Sequence, residues 1–167
     1  LKKMNAKISI TNKRNFNDEI VGDIEVNSSN LHGTTVKKEI SARLIDEYPI
    51  LFVAASFANG TSSFFGLGEL KVKESNRLKT MAKALSENGV KLKVGETSIK
   101  IFGDKNQEGG RSVATESDHR VAMSMLIFGF FSEKSIIIDD MGMIKTSFPG
   151  FKDLFEVLGA RIDYFRK

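Results

Sequence analysis

The chain has 167 residues, 41% of them apolar, which suffices for one ordinary domain with its own core, since domains run to roughly 100–200 residues. Its 25 Lys and Arg stand against 21 Asp and Glu with the signs interspersed, so the net charge of +4 forms no polybasic tract and gives no reason to expect a nucleic-acid partner. The lack of cysteine excludes disulfides, thiolate metal sites and cysteine nucleophiles, and it suits a reducing, cytoplasmic setting. No stretch approaches the roughly 18–20 apolar residues of a membrane span, and no signal peptide is visible, so a membrane partner is not expected.

In chain order, Leu1 to Met4 reads as the last turn of a helix, with a cap at Asn5 and the start of a strand after it. Two later segments look the same, Leu85 to Leu92 around Gly89 and Leu154 to Ile162 around Gly159. The three caps lie 84 and then 70 residues apart, too far for a solenoid but suited to repeated supersecondary units, the first of which the chain enters midway. Ile20–Val26 is a strand candidate. Pro49 to Ala58 is apolar nearly all round and predicts a buried helix, with Asp46 in an N-cap-like place. Thr61–Phe65 follows as a strand.

Ser75 to Asn88 predicts an amphipathic helix: Leu78, Met81, Ala82 and Leu85 recur at helical spacing, Lys79 and Lys83 face outward, and Gly89 terminates it. Lys91–Val94 and Ser98–Phe102 read as strands, and the polar run 103–111 as a surface loop without assigned chemistry. A second buried helix covers Val121 to Phe131 behind Asp118, Ser135–Asp139 is a last strand candidate, and a final helix ends at Gly159. The alternation makes the fold class mixed α/β.

The charges at helix starts carry the functional signal. Lys73-Glu74-Ser75-Asn76-Arg77 leads into the amphipathic helix, Asp118-His119-Arg120 opens the second buried helix, and Lys145-Thr146-Ser147-Phe148-Pro149 precedes the last one. Helix N-termini are partially positive, so a cation there is unfavourable by roughly 0.3–1 kcal/mol when exposed. An anionic ligand gives such cations a purpose, since free backbone N–H groups and Arg or Lys together receive phosphate or carboxylate. The alternative is that each cation reaches past its helix to a neighbouring carboxylate or lies solvated. Asp46 is either a cap or a base, Glu74 either a partner of the helix dipole and Arg77 or a proton carrier, and His119 either structural or catalytic. His32 signals no more than a turn.

Taken together, Leu44-Ile-Asp-Glu-Tyr-Pro-Ile50, Glu69-Leu-Lys-Val-Lys-Glu-Ser-Asn-Arg77, Ser117-Asp-His-Arg-Val-Ala-Met123 and Ile144-Lys-Thr-Ser-Phe-Pro149 resemble the enolpyruvyl transferases. Within them the likeness is to the 3-phosphoshikimate 1-carboxyvinyltransferase branch, of the bacterial class II kind. The resemblance implies a two-domain enzyme built of repeated βαβαββ units with sheets packed around buried helices. Residues 1–167 would be its C-terminal domain without the beginning, and the N-terminal domain would be absent and needed as a structural partner. The implied reaction moves the enolpyruvyl group of phosphoenolpyruvate to the 5-hydroxyl of shikimate 3-phosphate, in aromatic amino acid biosynthesis, with no cofactor and no metal.

By position in those motifs, the resemblance gives catalytic roles to Asp46, Glu74, Lys145 and His119, and substrate contacts to Asp46, Lys73, Arg77, Arg120 and Lys145. Asn76 departs from the Asp found in many members. Two alternatives stay open: a non-catalytic fragment or remnant of a split enzyme, and a fragment of the UDP-N-acetylglucosamine enolpyruvyl transferase. The isolated chain is expected to be inactive, and its seven site residues to share one concave face at helix starts.

Overall fold

The computed structural model describes residues 1–164, and its elements follow the sequence closely. A long hairpin comes first, β1 (Lys7–Phe16) against β2 (Glu19–Asn27), antiparallel with Ile8 opposite Val26 and Ile10 opposite Ile24. Its turn residues Asn17 and Asp18 both have positive φ, the geometry that matches the twist of paired strands.

Next, β3 (Thr35–Val36), α1 (Tyr48–Ser56), β4 (Gly60–Phe65), α2 (Arg77–Glu87), β5 (Lys91–Val94) and β6 (Ser98–Gly103) complete one βαβαββ unit. Its sheet has the order β3-β4-β6-β5, with β3 parallel to β4 and the other neighbours antiparallel. A second unit runs β7 (Ser112–Val113), α3 (His119–Phe131), β8 (Ile137–Ile138), a single turn α4 (Ile144–Ser147) and α5 (Phe151–Val157), with β7 parallel to β8.

Helices α1 and α3 are apolar on every side and pack on each other, so the sheet and α2 wrap around them. Tyr48, Phe52 and Phe64 meet at ring separations of 5.1–5.9 Å beneath the sheet, all fully buried. A smaller cluster of Ala122, Leu126, Ile144, Phe151 and Ile162 fastens α4 and α5 to the far side of α3. Helix α2 buries Leu78, Met81, Ala82 and Leu85 and leaves Lys79 and Lys83 in solvent. At Gly103 the sheet passes so close to the end of α1 that a Cβ would stand 2.1 Å from the Ala58 carbonyl oxygen.

Several expectations need correction. Asp46 does not cap α1: it lies in a 3-10 turn, Ala42–Glu47, the N-cap position falls on Glu47 without a side-chain bond, and Pro49 occupies the first turn. The Asp46 carboxylate is instead drawn to cations from elsewhere. Asp118 does cap α3. Asn5, Gly89 and Gly159 all adopt positive φ as expected of caps, but residues 160–164 after Gly159 form no strand. Ser135–Asp139 shrinks to Ile137–Ile138. The loop 103–111 is not all surface, since Gln107 is buried and donates to the carbonyls of Ser56 at 2.7 Å and Asp104 at 3.0 Å.

Candidate active site at the starts of α2 and α3

Three helix approaches converge because α1, α2 and α3 touch one another. The 3-10 turn before α1 supplies Asp46 and Glu47, the segment before α2 supplies Lys73, Glu74 and Ser75, and the first turn of α3 supplies Arg120. Asn76 caps α2 by accepting from the Lys79 amide at 3.1 Å. Asp and Asn are both good caps, so the departure at this position leaves the local structure intact.

Ahead of α3, Glu116 and Ser117 are both left-handed, with φ of 53° and 56°. Two such residues in succession are strained by about 1 kcal/mol or more each for a side-chain-bearing residue. The sharp turn they make leads directly into Asp118, which is wholly buried.

Arg77 is the hub. Its side chain is 1% exposed, and each guanidinium nitrogen donates to a different carboxylate: Nε to Asp118 Oδ2 at 2.8 Å, Nη1 to Asp46 Oδ1 at 2.8 Å, and Nη2 to Glu74 Oε2. Asp118 is shared in turn. Its Oδ2 also accepts from Ser75 Oγ at 3.0 Å, and its Oδ1 accepts from the amides of Arg120 at 2.9 Å and Val121 at 3.3 Å. One buried carboxylate thus fixes the start of α3 and the guanidinium of α2 together. Lys73 Nζ reaches Asp46 Oδ1 at 3.3 Å. Arg120 Nη1 donates to the Asp46 backbone carbonyl at 2.7 Å and to Glu47 Oε1 at 3.1 Å.

The electrostatics follow from these contacts. Burial would push the Asp118 carboxyl up, but the hydrogen bond and charge of Arg77, with the Val121 amide and Ser75, hold it below the usual carboxylate range. Burial acts the same way on Asp46 and is overcome by hydrogen bonds from Lys73 and Arg77 and by the charges of Lys73 and Arg120. Burial would lower Arg77, and the carboxylates of Asp118, Glu74 and Asp46 raise it instead. Asp46, Asp118 and Arg77 are therefore held in their charged forms. Four carboxylates (Asp46, Glu47, Glu74, Asp118) face three cations (Lys73, Arg77, Arg120).

Direct bonds thus bring together Asp46, Lys73, Glu74, Arg77 and Arg120, five of the seven residues singled out in the sequence. His119 follows Asp118 in the first turn of α3, half-buried, and its side chain makes no hydrogen bond among the described residues. Lys145 is exposed on α4 and lines a groove of about 850 Å³ with Lys83, Glu87, Asp139, Asp140 and Arg161, which Arg77 and Asp46 do not border. Sequence reasoning took Asp118 for a cap and passed over Ser75 and Glu47. The signal for Asp118 was its second oxygen: a capping carboxylate uses one oxygen on the helix and leaves the other for a neighbouring cation. No group of three or more His, Cys, Asp or Glu among the described residues is placed to hold a metal, and no helix among them is long and apolar enough to cross a membrane.

A family model described as EPSP synthase (3-phosphoshikimate 1-carboxyvinyltransferase) matches residues 1–155. Curated relatives named 3-phosphoshikimate 1-carboxyvinyltransferase include that of Pseudomonas sp. strain PG2982, 46% identical over 165 residues, covering 98% of this chain and 37% of the relative. That of Brucella canis is 46% identical over 164 residues, covering 97% of this chain and 36% of the relative. Among solved structures, EPSP synthase from Acinetobacter baumannii superposes with a TM-score of 0.90 at 30% identity, covering 99% of this chain and 38% of that one. The enolpyruvyl transferase NikO from Streptomyces tendae, at TM-score 0.71 and 15% identity, shares the fold. The chain spans a little over a third of the length of the curated relatives it matches.

Proposed function

The chain belongs to the EPSP synthase family, and on that basis we propose that it supplies the phosphoenolpyruvate-facing part of a transfer site completed by further polypeptide. The reaction is transfer of the enolpyruvyl group from phosphoenolpyruvate to the 5-hydroxyl of shikimate 3-phosphate, with release of phosphate through a tetrahedral addition–elimination intermediate, in a cytoplasmic pathway to aromatic amino acids. The observation that carries this reading is the knot of ion pairs around Arg77 at the touching starts of α2 and α3.

Each step of that chemistry has a group suited to it. Asp46, ionised and 43% exposed, accepts a hydrogen bond from the substrate hydroxyl and takes its proton as the new C–O bond forms. A carboxylate held this low is a weak base, so the transfer comes late, when the hydroxyl oxygen has become acidic through bonding to carbon. Protonation of the methylene carbon falls to Glu74 or Lys145, with His119 close to the reacting carbons. Lys73, Arg77, Arg120 and Lys145 balance the phosphate and carboxylate charges of the two substrates.

The hairpin supports the need for further polypeptide. Ile8, Ile10, Ile20, Ile24 and Val26 share one face of β1–β2, and all but Ile8 are at least 44% exposed. A two-stranded sheet with an uncovered apolar face is at best marginal in water. We assign the chain to the C-terminal domain of the longer enzyme, with an N-terminal domain supplying the opposite wall. The 46% identity to relatives bearing the shikimate name favours this substrate over the sugar-nucleotide alternative.

Titrating phosphoenolpyruvate into isotope-labelled chain tests the reading. Amide shifts gather at residues 73–78 and 118–121 and vanish in Arg120→Ala. Shifts spread over the surface lysines, or none at these two segments, would overturn it.

A further inference from the structure

The ion-pair knot raises a difficulty for any anion arriving there. Arg77 is 1% exposed, and none of its three nitrogens is without a carboxylate. With four acids on three cations the cluster already carries a formal charge of −1, so an added anion meets repulsion and finds each nitrogen of Arg77 already facing a carboxylate. Binding on the Arg77 guanidinium requires one of its carboxylates to leave.

The four acids are not equally held. Asp118 is fully buried and has four donors. Asp46 has Lys73 and Arg77 on its carboxylate, and Arg120 on its backbone. Among the described residues the Glu47 carboxylate pairs with Arg120 alone, and not with Arg77. Glu74 has Arg77 as its single partner among the described residues and is 49% exposed. It also borders a depression of about 380 Å³ whose charged lining is Lys79, Lys83, Glu87 and Glu116, with Lys83 paired to Glu87 at 4.0 Å. That gives a departing carboxylate room and, in Lys79, an ammonium group with no carboxylate partner among the described residues.

Building on the proposed function, we infer that Glu74 is an internal stand-in for the ligand: a substrate carboxylate takes its place on Arg77 Nη2, and Glu74 swings towards Lys79. The exchange keeps three carboxylates on Arg77, because one replaces another. It favours a carboxylate over a phosphate, since the place vacated on Nη2 held the single carboxylate of Glu74 while Asp46 and Asp118 keep the other two nitrogens. It also frees Glu74, one of the two groups proposed to carry the second proton, only when the ligand has arrived.

The consequence is opposite to that of a simple ligand contact. Removing the charge of residue 74 weakens the competitor, so Glu74→Gln binds phosphoenolpyruvate more tightly than the parent chain, by about two- to fivefold for the loss of a half-exposed ion pair. Dissociation constants come from the amide shifts of residues 73–78, with inorganic phosphate titrated in parallel. In the parent chain, the Glu74 side-chain carboxyl carbon shifts on saturation with phosphoenolpyruvate, away from its guanidinium-bound position, and moves much less with phosphate.

Equal or weaker binding by Glu74→Gln, or a Glu74 carboxyl signal that stays put while residues 73–78 respond, would overturn the exchange and leave the proposed function standing. A lack of response at residues 73–78 and 118–121 in both proteins would overturn both. Arg77→Lys, which keeps the charge and loses the fork, abolishes the preference for phosphoenolpyruvate over phosphate; its survival would count against the exchange.

Discussion

Truncating Asp118 to Ala removes more from this fold than truncating any other acid of the knot. Two losses follow from its contacts. The first turn of α3 loses the acceptor for the Arg120 and Val121 amides, an N-cap worth about 1 kcal/mol. Arg77, 1% exposed, loses the partner of its Nε, and breaking a buried ion pair by deleting one member costs about 3–5 kcal/mol. Together these come to about 4–6 kcal/mol, a large part of the roughly 5–15 kcal/mol that holds a domain folded. Asp118→Asn keeps one oxygen for either the cap or the guanidinium and forfeits the charge, so it should cost about 1.5–3 kcal/mol. Glu74→Ala removes a half-exposed pair and should cost less than about 1 kcal/mol. Urea unfolding followed by circular dichroism gives all three differences, and if Asp118→Ala is already unfolded the Asn variant carries the comparison. An Asp118→Asn cost no greater than that of Glu74→Ala would refute the assignment of Asp118 as the structural keystone.

Three further outcomes are expected. The carboxyls of Asp118 and Asp46 are depressed in the fold, so their stabilising effect is complete above the unfolded carboxyl value of about 3.9 and is lost as pH falls through the lower folded values. An acid titration of stability should therefore decline below about pH 4, more gently in Asp118→Asn. Gly103→Ala drives a methyl group into the Ala58 and Ala55 carbonyl oxygens, and a thermal melt should show a loss of about 2 kcal/mol or more. Ser117→Gly relieves a left-handed residue whose side chain is exposed, and the same melt should show a gain of about 0.5–1 kcal/mol.

What could be read from the sequence was what short-range physics writes into it. The stripe of Leu78, Met81, Ala82 and Leu85 ending at Gly89 gives α2 to within two residues, and Lys91–Val94 is β5 as anticipated. Helices α1 and α3 were plain from runs too apolar for any surface. The two-residue strands β3 and β7 were not, because each exists only through parallel pairing to a strand more than twenty residues away. The site divides along the same line. Cations at helix starts marked Arg77 and Arg120, and the motifs carried the family resemblance. That Arg77 would be buried, with its nitrogens spent on Asp46 and Asp118 31 and 41 residues away, was not visible. Of the two readings of those cations, the one in which they reach past their helices to carboxylates describes both arginines in this structure, and an anion has to compete with those partners.

On the proposed function, this chain holds one wall of an enolpyruvyl transfer site and needs another to work. Phosphate released from phosphoenolpyruvate in the presence of shikimate 3-phosphate measures it directly, with the chain alone and mixed with the portion of the Pseudomonas relative that it does not match. The chain alone should release none, because groups that act as a unit leave little catalysis when half are missing. The mixture should turn over, and Arg120→Ala in this chain should abolish that turnover. Two-substrate-dependent release by the chain alone, at a rate near that of the mixture, would contradict the claim.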